Sequence, residues 1–362
     1  MPHPAIDLDY LKARLSDLLN TPSPAGYTDE AVWLLCAELD RLGLEYELTR
    51  RGAVRARLPG AERLPARAIV AHLDTLGAQV KAVKENGRLE LVPIGTWSSR
   101  FAEGARATIF AETGALRGTI LPLKASGHAF NEEVDSQPVN WRQVELRIDA
   151  ITHDKSGTLG LGVDVGDIVA IDPQPEFVDT GFIVSRHLDD KAGVAVMLAA
   201  LECLLREDRR PTVDTWWLFT IAEEVGLGAS SVLVPDVAAM VTVDNGTTAF
   251  GQNSSEFGVT IAMADQTGPF DWHLSRKLVQ LARDHDIPHQ KDVFRYYRSD
   301  SASALEAGAD IRTALVTFGI DASHGYERIH ESALEDLARL VIAYAESEVE
   351  IERDRRPLSG VK

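Results

Sequence analysis

Short apolar runs of strand length alternate with stretches of helical periodicity in two separated parts of this chain, and that alternation leaves few folds open. Leu8, Leu11, Leu15, Leu18 and Leu19 recur at the spacing of one helix face over residues 7–20. A turn follows at Thr21-Pro22-Ser23-Pro24-Ala25-Gly26. The periodicity then resumes through Ala31, Leu34, Leu35, Leu39 and Leu42, with Gly43 placed to end a second helix. Residues 44–48 and 53–58 have strand character, and the run Ala66-Arg67-Ala68-Ile69-Val70-Ala71 reads as an apolar strand that stops at His72. Past residue 173 the pattern returns, with strands over 182–185, 216–221 and 239–243 and a buried helix over 192–205. Strands alternating with helices predict an α/β fold, a parallel or mixed sheet covered by helices.

Residues 77–173 have a different character. Strand-like pieces over 88–94, 106–111, 116–123 and 144–151 are separated by Gly and polar turns, and helical periodicity is nearly absent. The expected organisation is therefore one domain over 1–76 and 174–362, with a small β domain inserted over 77–173. The charged tail after Glu346 is expected to fray or lie on the surface. Lys and Arg number 37 against 55 Asp and Glu, a formal charge of −18. Such a chain repels phosphate backbones and anionic lipid surfaces, which excludes nucleic acid and membrane as expected partners. Cys36 and Cys203 both fall in apolar helical patterns and read as buried reduced thiols, and the N-terminal segment has no signal-peptide pattern. The expected location is cytoplasmic.

Four of the apolar strands lead into groups that bind metals. The first ends in His72-Leu73-Asp74, the second runs into His187-Leu188-Asp189-Asp190-Lys191-Ala192-Gly193, the third into Glu223-Glu224-Val225-Gly226, and the fourth into Asp244-Asn245-Gly246. Open α/β sheets place their sites at the carboxyl ends of strands, so these groups can converge. Near the C-terminus, His330 in Arg328-Ile329-His330-Glu331 lies just before a helix and offers one more imidazole. Each motif alone has an ordinary reading: Asp74 capping a turn, Asp189-Asp190 at a helix N-terminus, Glu223-Glu224 in a solvated loop. Their coincidence is harder to explain that way, because crowded carboxylates repel one another unless a cation compensates. Oxygen and imidazole ligands suit zinc, cobalt or manganese. Two such ions about 3.5–4 Å apart can activate a shared water. One carboxylate should bridge the ions and one unligated carboxylate should carry the proton; Glu223-Glu224 offers a base and a ligand side by side.

At these residues the sequence resembles the tetrahedral, dodecameric metallo-aminopeptidases, the group that includes bacterial glutamyl and deblocking aminopeptidases. The likeness covers nearly the whole chain, including the order of motifs and the inserted β domain. It implies a zinc-peptidase-like fold and two divalent ions per subunit. It further implies His72 as a ligand, Asp74 as an orienting acid, Asp189 as the bridging carboxylate, Glu223 as general base, and Glu224, Asp244 and His330 as ligands. Two segments depart from the family pattern. His330-Glu331-Ser332-Ala333-Leu334 stands for His-Ser-Pro-x-Glu, which leaves His324 as a rival, with His330 preferred because a helix follows it directly. Arg298-Ser299-Asp300-Ser301 stands for Gly-Thr-Asp-Ala near the substrate pocket, which leaves specificity open. The resemblance also implies peptide substrates and self-association, from dimer to dodecamer, through the inserted domain. A further likeness is to the subgroup associated with the osmoprotectant N-acetylglutaminylglutamine amide.

The expected activity is removal of N-terminal residues from peptides by a metal-bridging water that Glu223 activates. Two alternatives stand beside it: a metal-dependent deacylase or amidase acting on a modified small peptide, and a non-catalytic binding or assembly protein on the same architecture. His3, His128, His153, His187, His273, His285 and His289 read as surface or packing residues, with His187 close enough to Asp189 to support it. Tyr296, Tyr297 and Arg298 either shape the pocket or pack.

Overall fold

The computed structural model describes residues 4–349 and 352–355, so most of the tail after Glu346 lies outside the described residues. The first helix, Leu8–Asn20, begins where the Asp7 carboxylate accepts the Tyr10 N–H at 2.9 Å, and it buries Leu11, Leu15, Leu18 and Leu19. The second, Asp29–Leu42, ends at Gly43, whose φ of 72° is one that glycine adopts without steric cost.

The core is a mixed nine-stranded sheet. Its centre is four parallel strands in the order Val213–Thr220, Glu62–His72, Val237–Thr247 and Arg312–Ile320. Val54–Leu58 and Glu45–Leu48 extend one side antiparallel. Val259–Asp265 extends the other, flanked by Gly268–Pro269 and His289–Val293. The central strands are apolar on both faces because helices cover both. On one face lies Leu188–Arg206, packed between the sheet and the helices Leu8–Asn20 and Glu331–Glu346. Covered on all sides, this helix is apolar nearly all round, unlike the one-sided pattern of a surface helix. On the other face, Ala229, Val232 and the helix Asp300–Glu306 pack on Ala68, Val70 and Leu218.

Register sets the site. Thr220 is aligned with His72, so Glu223 and Glu224 follow just past the strand ends. Thr242 is aligned with Val70 on a parallel neighbour, which puts Asp244 level with His72.

Between Gly77 and Ile171, six antiparallel strands close into a small barrel, in the order Gly77–Val83, Leu89–Ile94, Val144–Ile148, Gly114–Pro122, Arg106–Ala111 and Ile168–Ile171. Val80, Leu91, Ile109, Ile120, Leu146 and Val169 fill its interior. The strand expected over 144–151 stops at Ile148, and Ile151 stands almost fully exposed. A three-stranded antiparallel sheet of Glu176–Phe177, Phe182–Ser185 and Glu327–His330 follows. The chain therefore has a mixed α/β fold with a barrel beside its main sheet. Among the described residues no helix is long and apolar enough to cross a membrane.

Candidate active site

His72 ends its strand almost completely buried. Its Nδ1 lies 2.9 Å from the backbone carbonyl of Asp74, which can only accept, so that nitrogen carries the proton and Nε2 is left to face the site. Nε2 is 3.0 Å from Asp189 Oδ1, with Glu223 Oε2 at 3.9 Å and Asp244 Oδ1 at 4.0 Å. The second oxygen of Asp189 faces another imidazole: His324 Nε2 lies 3.2 Å from Oδ2 and 3.7 Å from Glu224 Oε2. One carboxylate thus spans two histidines.

The surrounding side chains fix these groups. Asp74 accepts the N–H groups of Glu223 and Glu224 on its two oxygens at 3.0 and 3.2 Å, so it holds the backbone of the Glu-Glu turn. Asn245 donates its amide to Asp189 Oδ2 at 2.7 Å. Asp190 accepts the His72 backbone N–H at 3.1 Å. A Cβ on Gly193 would lie 2.2 Å from Asp190 Oδ1, which explains why the Asp189-Asp190-Lys191-Ala192-Gly193 motif ends in glycine. Asp300 accepts from the Thr220 hydroxyl at 2.6 Å and the Ala229 N–H at 2.7 Å, tying down the chain beyond Glu224.

Crowding and burial leave a distinct electrostatic record. Burial raises Glu223 well above the usual carboxylate range, against the pull of His72. Burial likewise pushes Glu224 up to about 8, against His324, and burial with the charge of Asp189 pushes Asp244 up to about 7. For Asp189 burial acts upward too, but hydrogen bonds from His324 and His72 outweigh it and hold the carboxyl well below the usual range. Burial would lower His324, yet the hydrogen bond to Asp189 and the charge of Glu224 carry it up to about 11.

A divalent cation fits this set. Among the described residues, Asp190 Oδ1, Glu224 Oε1 and Asn245 Oδ1 are buried here without a hydrogen-bond partner, whereas buried polar atoms ordinarily have one. His72, Asp189 and Glu224 bring ligand atoms within 4.8 Å of one another, and so do His72, Asp190 and Asp244. Positive charge is the missing complement to these oxygens, and imidazole with carboxylate is a donor set for such ions. A cavity of about 910 Å³ opens onto the group; Glu223, Glu224, Asp189, Asp244, Tyr297 and His324 are on its wall.

His72, Asp189, Glu223, Glu224 and Asp244 come together as the motif order implied, with Asp74 behind them. His330 does not join them. Its segment pairs with Phe182–Ser185, where His330 is aligned with Phe182. Its Nδ1 pairs with the Ser332 hydroxyl at 2.8 Å at the start of Glu331–Glu346, and Nε2 lies 3.2 Å from the Thr180 carbonyl. The helix that follows His330 directly is the one it caps, so that feature marks a capping residue, and His324 stands at the site instead. His187 supports the barrel junction through the Ile171 carbonyl at 3.0 Å. Sequence reasoning missed Glu327, Thr96 and the structural part of Asp190. Of these, Asp190 carried a local signal, beside Asp189 and three residues before Gly193 in the same motif.

Comparison with known proteins finds relatives over nearly the whole chain. The profile of the M42 glutamyl aminopeptidase family matches residues 52–340. YhfE of Bacillus subtilis (strain 168), a protein named as an aminopeptidase, is 37% identical over 92% of this chain and 96% of its own. The TET aminopeptidase of the marine sediment archaeon Thaumarchaeota archaeon SCGC AB-539-E09 superposes with a TM-score of 0.84 at 19% identity, covering 93% of this chain and 96% of that one. The Pyrococcus horikoshii TET1 peptidase gives a TM-score of 0.81 at 22% identity over 92% and 99%. With the family profile spanning most of its length, the chain belongs to the M42 glutamyl aminopeptidase family and is a peptidase.

Proposed function

We propose that this chain is a dinuclear metal-dependent aminopeptidase. The observation that carries the reading is the two-sided Asp189 carboxylate, with one oxygen toward His72 and the other toward His324. Asp189 would bridge two divalent ions, zinc, cobalt or manganese, one held also by His72 and Asp244 and the other by Glu224 and His324. When bound, such ions lower the pKa of a shared water and polarise the scissile carbonyl. Glu223 faces the same cavity without a fixed hydrogen-bond partner, so it is free to take the proton from that water and pass it to the leaving amine. Asp74 keeps Glu223 aimed by gripping the backbone of its turn. The buried free thiols Cys36 and Cys203 suit a cytoplasmic protein.

Metal-loaded enzyme should release amines from unblocked aminoacyl substrates. Glu223→Gln should cut kcat by about 10²-fold or more while metal content stays at two ions per chain. Hydrolysis of N-acylated substrates alone would replace this reading with a deacylase, and unchanged kcat in Glu223→Gln would remove the base.

The chain is also proposed to self-associate through the barrel, which carries the exposed apolar side chains Phe130, Val139, Ile151 and Val165. The Pyrococcus horikoshii TET1 peptidase, of the same fold, can assemble into a tetrahedron or a large octahedral shell. Light scattering should return a mass several-fold above the 39.6 kDa of one chain; a monomer at micromolar concentration would refute it.

A further inference from the structure

The two imidazoles of the site are held in very different ways. His72 closes a central strand, and its Nδ1 is bonded two residues along its own segment. His324 lies on an irregular turn in which both Ala322 and His324 take positive φ, 57° and 65°, a region that costs energy for residues with a Cβ. Contacts from outside must hold that turn in place, and two do.

The first is Glu327, a fully buried carboxylate. Its Oε1 accepts the backbone N–H of His324 at 2.9 Å, and its Oε2 accepts the backbone N–H of Asp189 at 3.2 Å. A single side chain therefore fixes the spacing between the backbones that carry the bridging carboxylate and the second imidazole. The second contact comes from the barrel. The Thr96 carbonyl accepts the Nδ1 proton of His324 at 2.8 Å, which leaves Nε2 for the site. Beside it Gly95, at φ 81°, approaches so closely that a Cβ there would lie 2.5 Å from Leu76 Cδ2 and 3.3 Å from the Glu224 carbonyl. The loop at Gly95 and Thr96 thus rests on Glu224 and His324 together, and only a glycine lets it do so.

We propose that Glu327 and the barrel loop at Gly95 and Thr96 are positioning elements for His324, so that the seating of the barrel on the main sheet completes one of the two metal positions. The proposal rests on the dinuclear reading above. It predicts asymmetry: loosening either clamp weakens the ion on the His324 and Glu224 side and spares the ion on the His72 and Asp244 side.

The test uses the full-length protein and zinc. Wild type, Glu327→Gln and Gly95→Val are stripped of metal and titrated with zinc against a chromophoric chelator. Metal content is then counted after gel filtration, and circular dichroism checks that each variant is folded. Glu327→Gln keeps the size of the side chain but offers one acceptor where two N–H groups need them. Gly95→Val acts from the barrel: its Cβ would clash first with Leu76 Cδ2 at 2.5 Å and meet Glu224 at its carbonyl, 3.3 Å, and its Cβ, 3.5 Å, away from the ligating oxygens. In both, one zinc should bind about 10–100-fold more weakly and the other within about twofold of wild type. Activity lost at stoichiometric zinc should return in excess zinc. Two wild-type affinities in both folded variants would overturn the proposal, as would equal loss of both ions. A wild type that binds fewer than two ions would instead overturn the dinuclear reading. Should Glu327→Gln not fold, Gly95→Val alone decides by the same criteria.

Discussion

Asp189, Asp190, Glu224 and Asp244 are buried together at the floor of the cavity with Glu223 half-buried beside them, and isolated buried charges of this kind each cost several kcal/mol without compensation. Backbone N–H donors take both oxygens of Asp74 and both of Glu327, which is why those carboxylates serve the scaffold, whereas Asp190 accepts the His72 N–H on one oxygen and keeps the other unpartnered. The others keep oxygens directed at imidazoles, which is what metal ligands need. The same distinction separates the two late histidines. His330 is engaged in capping Glu331–Glu346 and in packing against Phe182 and Phe257, whereas His324 Nε2 faces carboxylates only. His330→Ala should therefore keep both ions and full turnover while losing about 1 kcal/mol of stability with its cap. His324→Ala should lose one ion. Metal content and denaturant midpoints measured on the pair check this, and loss of metal from His330→Ala would reverse the assignment. The sequence made most of the site legible because His72, Asp189, Glu224 and Asp244 each follow a recognisable strand. His324 follows a strand too, but its turn has no periodic signature and depends on Glu327 and Thr96, which only the fold brings near.

At the scale of elements, legibility tracked how local the physics is. The helices Leu8–Asn20 and Asp29–Leu42 show one apolar face with a cap or a terminal glycine, and both are readable within a residue or two. Leu188–Arg206 is readable as apolar, and its regular part starts close to the expected residue 192, because Asp189 and Asp190 have non-helical backbone angles and Leu188 to Lys191 are buried for the site and the junction rather than for a helix face. Lys191 shows this best: its ammonium donates to the Leu18 and Thr21 carbonyls at 2.7 and 2.6 Å, tying the site segment to the end of the first helix. The helix Trp272–Asp284 keeps Leu274, Leu278 and Ala282 at helical spacing behind the Asp271 cap, whereas Arg312–Ile320 and Val259–Asp265 are sheet strands with no such local pattern. A short apolar run fixes neither its type nor its neighbours without knowing which faces are covered. The barrel behaves likewise. Arg106–Ala111 is bounded by turns and was readable, whereas Gly77–Val83 and Ile168–Ile171 become strands chiefly by closing the ring together.

For the whole molecule, the acidity of the chain and the burial of its carboxylates set how stability depends on metal and pH. The formal charge is −18, and the site concentrates acids that are largely buried. Without a cation, Asp244 stands at about 7 and Glu224 and Glu327 at about 8, above the roughly 4 of an unfolded carboxylate. Between those values the fold binds protons that the unfolded chain has already released. The stability they contribute is complete below about pH 4 and is lost as pH rises through 7 to 8. His324, raised to about 11, acts with the same sign above about pH 6.5. Asp189, held low, is ionised in both states across this range and adds no slope. Lys191, which burial lowers to about 7, acts with the opposite sign above that pH but is one group against four, so metal-free protein should lose stability between pH 6 and pH 8. Divalent ions held by Asp244, Glu224 and His324 would take the place of their protons, leaving Glu327 alone of these groups, and the pH dependence should then be much weaker. Thermal unfolding in chelator and in zinc, at pH 6 and pH 8, measures the difference directly. The expected outcome is a midpoint that falls with pH in chelator and falls much less in zinc. A chelator midpoint that rises toward pH 8 would mean that these carboxylates are already balanced by the chain's own cations, and that the site has no need of metal.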